Sequence, residues 1–107
     1  MEMDEIGCAE LKARLERDDK PLVLDVRETW EVELASIPGA ANIPMGEIPA
    51  RLSELDPGRE TVVVCHRGIR SAQVALYLER RGFKRVINLI GGIDAWSREA
   101  DPSVPRY

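Results

Sequence analysis

The segment densest in chemically capable side chains is Cys65-His66-Arg67-Gly68-Ile69-Arg70-Ser71, which follows the apolar run Val62-Val63-Val64 and precedes a helical pattern. A thiol at the junction of a buried strand and a helix lies where unpaired amide N–H groups and the positive end of the helix dipole converge. Such a junction holds anions, and it holds a thiolate. A free cysteine titrates near ~8.5, whereas a helix N-terminus and adjacent cations bring such a group to about 7 or below. A shift of ~1.5 units corresponds to roughly 2 kcal/mol, which two arginines and a ring of amides can supply. A cysteine ending a strand is also commonly a small buried hydrophobe. Gly68, which lets the backbone curl tightly, and the cations Arg67 and Arg70 favour the reactive reading, because an inert core thiol has no use for them.

The remaining candidates are weighed by type and position. Arg67 is expected to hold an anionic ligand, against the alternative of a solvated loop charge. Arg70 begins a helix, and its guanidinium faces the site or pairs with a carboxylate such as Asp25; both roles stay open. His66 is the only histidine. Neighbours in a tight loop seldom point the same way, so an exposed loop residue is expected there rather than half of a Cys-His dyad. Asp25 and Arg27 are expected to make structural pairs beneath the loop, and Trp30 and Trp96 to be core or rim aromatics. Cys8 lies near a helix start with nothing placing it beside Cys65, so it is expected to be an ordinary thiol. Gly91-Gly92 lacks the rest of a phosphate-binding loop and reads as a turn.

The elements that must position these residues follow from periodicity and breakers. Gly7 or Cys8 opens a helix with Leu11 and Leu15 on one face, ending before Asp18-Asp19-Lys20-Pro21. Residues 22–26 form a short apolar strand, 28–35 a short helix broken by Ile37-Pro38-Gly39, and 46–55 a second short helix closed by Asp56-Pro57-Gly58. Thr61 to Val64 is the central strand. Arg70 to Arg81 is a helix with Val74, Ala75 and Leu78 inward and Gly82 as its stop, and Arg85 to Leu89 is another strand. Asp94 to Glu99 is the last helix. Strands alternating with helices imply an α/β fold, a mostly parallel sheet with helices on both faces, in which ligands bind beyond the carboxyl ends of the strands. Cys65 is at one of those ends.

Composition sets the limits. The 107 residues suit one domain, 1–107, and 44% hydrophobic with 32% charged is an ordinary globular mixture. Fifteen Lys and Arg against nineteen Asp and Glu give a net charge of −4, so neither nucleic acid nor an anionic membrane is an expected partner. Apolar runs are too short to span a bilayer, and the acidic start Met1-Glu2-Met3-Asp4-Glu5 differs from a basic signal peptide, which leads to the expectation of a cytoplasmic protein. Two distant cysteines and one histidine make neither a disulfide scaffold nor a zinc site by spacing. A reducing compartment suits a reactive thiol.

Several blocks together resemble a rhodanese domain. Beside the Cys-x-x-Gly-x-Arg-Ser loop stand Val23-Leu24-Asp25-Val26-Arg27-Glu28 with Trp30-Glu31, then Ile37-Pro38-Gly39-Ala40-Ala41-Asn42-Ile43-Pro44, and finally Asn88-Leu89-Ile90-Gly91-Gly92-Ile93 with Ala95-Trp96. They come in the family's order over about positions 20 to 98. Ser36 departs from the histidine that many members carry, read as a lost structural hydrogen bond. The resemblance implies a rhodanese-like three-layer fold and a sulfurtransferase, with Cys65 as nucleophile and His66, Arg67, Gly68, Ile69 and Arg70 as the substrate cradle. It implies a small sulfur donor such as thiosulfate, and neither metal nor organic cofactor. The tail Asp101-Pro102-Ser103-Val104-Pro105-Arg106-Tyr107 is similar to the end of rhodanese domains fused to molybdopterin and thiamin sulfur-carrier adenylyltransferases. That likeness adds a sulfur-carrier protein, or its activating enzyme, as an implied partner. Two rivals are a rhodanese-fold phosphatase or arsenate reductase and a non-catalytic docking module. Four residues, His66 to Ile69, separate Cys65 from Arg70, one fewer than in the phosphatases, which makes a smaller cradle. Retention of the cysteine weighs against a docking module.

Overall fold

Val62, Val63 and Val64 are wholly buried, as a strand covered on both faces requires. They lie in the middle of the fold, of which the computed structural model describes residues 3–107. In chain order the described elements are β1 (Asp4–Ile6), α1 (Cys8–Leu15), β2 (Leu22–Asp25), α2 (Thr29–Leu34), β3 (Ala41–Asn42), β4 (Thr61–Val64), α3 (Ile69–Arg80), β5 (Val86–Leu89) and α4 (Gly92–Glu99). The strands form one sheet in the order β1-β5-β4-β2-β3, every neighbouring pair parallel. The chain runs outward from β2 to β3 and then returns to β4 on the other side of β2. Cys65 follows directly at the carboxyl end of that central strand, where parallel sheets carry their ligand sites.

The two-residue period of β4 decides which layer the cysteine faces. Val62 and Val64 pack into the layer that contains Leu11 of α1 and Ile93 and Trp96 of α4. Val63 and Cys65 pack into the opposite layer with Val74, Ala75 and Leu78 of α3. Helices therefore cover both faces, as expected, and the thiol lies on the face of α3.

Two expectations change in detail, and two short strands are added. The segment 46–55 is not one helix but two short 3-10 turns, Met45–Glu47 and Leu52–Glu54. Pro49 lacks the amide that an α-helix needs there, so the helical bonding cannot run on through it even though Ile48 itself keeps helical backbone. Strands β1 and β3, of three and two residues, are too short to show a period, and their main-chain partners define them. Helix α4 begins at Gly92 rather than Asp94, so Gly91-Gly92 is a helix start more than a free turn.

Candidate active site

Gly68 is the N-cap of α3 at φ 104°, a left-handed conformation that costs other residues strain. That conformation turns the Gly68 amide onto the cysteine, and it donates to Cys65 Sγ at 3.0 Å. The first-turn amides of α3, which no helix satisfies internally, follow it. Ser71 is wholly buried, and its Oγ lies 3.3 Å from Cys65 Sγ and 2.5 Å from Asn88 Oδ1. A hydroxyl carries one proton, so Ser71 serves the sulfur or the amide oxygen at a given moment. Asn88 Nδ2 donates to the Gly68 carbonyl at 3.2 Å and ties β5 to the loop. Cys65 itself is only 1% exposed.

The far side of the loop is held by α4. Ile93 N–H donates to Cys65 O at 2.9 Å, and Asp94 N–H donates to His66 O at 3.0 Å. Gly92 permits this approach: a Cβ there would overlap the carbonyl oxygens of Cys65 and His66.

The arginines divide into three roles. Arg27 is wholly buried and uses all five donors: Nε and Nη2 on Asp25, Nη2 also on Ala35 O at 2.6 Å, and Nη1 on Glu31 O and the Tyr107 hydroxyl. Burial opposes its charge, but the bonds to Asp25 and Tyr107 outweigh that and hold its pKa above the ordinary value. Arg70 pairs with Glu31 rather than Asp25, in a two-bond fork of 2.7 and 2.8 Å. The physical reason is that Asp25 is already saturated by Arg27. Arg70 holds Glu31 at about 2, well below the usual carboxylate range, and is itself raised by Glu31 first and more weakly by Cys65. Arg67 is exposed and takes part in none of the ion pairs of the described residues, so a free cation stands at the rim.

Other side chains are placed differently from expectation. His66 is half-buried, not exposed; its ring stacks on Tyr107 at 4.1 Å between centroids, and its Nε2 is buried with no hydrogen-bond partner among the described residues. It makes no hydrogen bond to Cys65 within the described residues. Ile69 is 74% exposed beside the loop, and Trp30 lies at the rim, edge-on to Tyr107, while Trp96 is buried. Cys8 is buried at the start of α1, its thiol pushed up by burial and then by Glu99. Ser71, Asn88, Glu31 and Tyr107 join the site without having been singled out for it. Asn88 carried a signal, since it is the one polar residue in the buried strand Val86-Ile87-Asn88-Leu89 and lies on the face of α3 by period.

A strand, a tight loop and a helix start here surround one cysteine with an amide and a hydroxyl, a setting in which a thiol can act as a nucleophile. The chain belongs to the rhodanese-like domain family, whose model matches residues 8–99. It is 40% identical over 102 residues to a sulfurtransferase of Allochromatium vinosum, with 95% of each chain covered. It is 35% identical over 109 residues to the adenylyltransferase and sulfurtransferase MOCS3-1 of Zea mays, covering 95% of this chain and 23% of that protein. The crystal structure of a rhodanese-like domain protein from Staphylococcus aureus superposes with a TM-score of 0.86 at 34% identity, covering 98% of this chain and 99% of that one.

Proposed function

We propose that this protein transfers sulfane sulfur through a Cys65 persulfide, with thiosulfate as a donor. The Cys65 thiolate attacks the outer sulfur of thiosulfate; a new S–S bond forms, the old one breaks, and sulfite leaves with the bonding pair. An acceptor nucleophile then takes the terminal sulfur and returns the thiolate. Cyanide, for example, becomes thiocyanate. The Gly68 amide, the first turn of α3 and Ser71 stabilise the anionic sulfur, and Arg67 meets the dianionic donor and leaving sulfite.

The carrying observation is the enclosure of Sγ by the Gly68 amide and Ser71, with Arg70 committed to Glu31. A phosphatase of this architecture needs its loop arginine for the three oxygens of a phosphoryl group. This loop is one residue shorter and leaves Cys65 1% exposed, which suits a single terminal sulfur. Incubation with thiosulfate followed by intact mass spectrometry tests the reading. One added sulfur, mapped to Cys65 and removed by cyanide, is expected; an unmodified chain overturns it.

The likeness to the MOCS3-1 segment favours a second acceptor, a small carrier protein activated as a C-terminal acyl adenylate. Persulfidated protein mixed with such a carrier, its activating enzyme, ATP and a thiol reductant is expected to replace one carboxyl oxygen of the carrier by sulfur. A carrier of unchanged mass, with cyanide still thiolated, leaves the small-molecule reaction alone.

A further inference from the structure

Tyr107 closes a chain of contacts that runs from the Cys65 loop through α2 to β2. Its ring stacks on His66 with planes 10° from parallel, and meets Trp30 edge-on at 6.4 Å. Its hydroxyl accepts from Arg27 Nη1 at 2.9 Å and donates to Glu31 Oε1 at 2.9 Å. Glu31 Oε1 also accepts from Arg70 Nη2, while Oε2 accepts from Arg70 Nη1 and from the Glu28 amide at 2.9 Å. One phenol thus grips the neighbour of Cys65 with its face and, with its hydroxyl, the carboxylate that fixes the arginine of α3.

The donation to Glu31 has an electrostatic consequence. Each additional donor spreads the negative charge of a carboxylate, so less of it cancels a given cation. With Tyr107 on Oε1, more of the positive field of Arg70, which lies in the first turn of α3 just after the Gly68 cap that donates to Sγ, is left for the sulfur. Burial holds the phenol above its usual range, so the donor persists at neutral pH. Of the other charged groups around the loop, Asp25 is committed to Arg27 and Asp94 of α4 to Arg98 and Arg106, while Arg67 is exposed and stays as it is in the Tyr107 and Glu31 variants used below.

We propose that Tyr107 is a positioning residue for the nucleophile: its ring holds the His66 side of the loop, and its hydroxyl shares the Glu31 charge so that Arg70 acts on Cys65. The inference rests on Cys65 as the reacting thiol, and its test does not require sulfur transfer.

Cys65 alkylation by iodoacetamide, assigned by peptide mass spectrometry, is followed against pH in the full chain and in Tyr107→Phe, which keeps the ring and loses the hydroxyl. Tyr107→Phe is expected to slow alkylation at pH 7 by about three- to tenfold. In a Glu31→Gln background the same change is expected to have no further effect, because the hydroxyl acts through that carboxylate. The kcat/KM for thiosulfate falls by a similar factor in Tyr107→Phe and further in Tyr107→Ala, which also removes the stack. An unaltered Tyr107→Phe alkylation profile, or equal slowing with and without Glu31, overturns the proposal whether or not Tyr107→Ala folds. Alkylation that responds to the hydroxyl in a protein that moves no sulfur overturns the sulfurtransferase reading and leaves this one standing.

Discussion

At the residue scale, the two cysteines make the sharpest contrast. Cys65 has an amide, a hydroxyl and a helix start aimed at its sulfur, whereas Cys8 has the Ile90 carbonyl 4.0 Å away and a pKa raised by burial. Cys65→Ser is expected to reduce thiosulfate-to-cyanide sulfur transfer to the uncatalysed rate, and Cys8→Ser to keep most of it. Equal loss from both, followed as thiocyanate formed, would indicate a dithiol mechanism instead. Arg67 is the free cation of the loop, so Arg67→Ala should raise the KM for thiosulfate by about tenfold, the worth of one charge-assisted contact, with a smaller change in kcat. Salt should weaken thiosulfate use more in the wild type than in this variant. The strand-to-helix setting of Cys65 and the tight turn at Gly68 were legible because they are local, set by a strand, a loop and a helix within a few residues. The partner of Arg70 was not, because Glu31 lies 39 positions away and Asp25 presents the same charge. Tyr107 was harder still: 76 positions separate it from Glu31, and nothing in its own neighbourhood marks it as part of the site.

At the scale of elements, the strands and helices that carry the site showed their period in the sequence, while the closest supports are main-chain contacts between distant segments. Helix α4 is the clearest case. Its role is to present the amides of Ile93 and Asp94 to the carbonyls of Cys65 and His66, and only Gly92 lets it come near enough, while Gly91 caps the helix in a left-handed conformation. A glycine pair in sequence reads equally well as a turn, because the backbone it must approach belongs to another element. Gly92→Ala places a methyl group against main-chain oxygens that cannot rotate away, in a backbone with φ 59°. The expected cost is about 1–3 kcal/mol in urea denaturation, with a larger proportional loss of sulfur transfer because the displaced atoms are those of the Cys65 loop. Undiminished activity and stability would show that α4 does not fix the loop.

At the scale of the whole molecule, the site's supports form an ionic network, buried at one end and half-buried at the other: Asp25 and Arg27 at the end of β2, Glu31 on α2, Arg70 on α3, and Tyr107. Sequence patterning places each charge on its element but not in a shared network, since amphipathic period says which face is buried and not which buried charges meet. The network gives folding a defined acid limit. Glu31 titrates at about 2 in the folded protein against a reference of 4.5, first because of its bonds from Arg70. A folded-state pKa below the unfolded value means that the unfolded chain takes up protons first as pH falls. The stabilisation from Glu31 is therefore complete above about pH 4.5 and drains away as pH drops through about 2. Urea midpoints measured from pH 7 down to 2 should stay level as regards this group until about 4.5 and then decline. Glu31→Gln should be less stable at pH 7, because Arg70 and the Tyr107 hydroxyl lose their anionic acceptor, yet should show a shallower decline in acid. The two curves should approach each other toward pH 2; parallel curves across the range would show that the Arg70 fork contributes nothing to folding in solution.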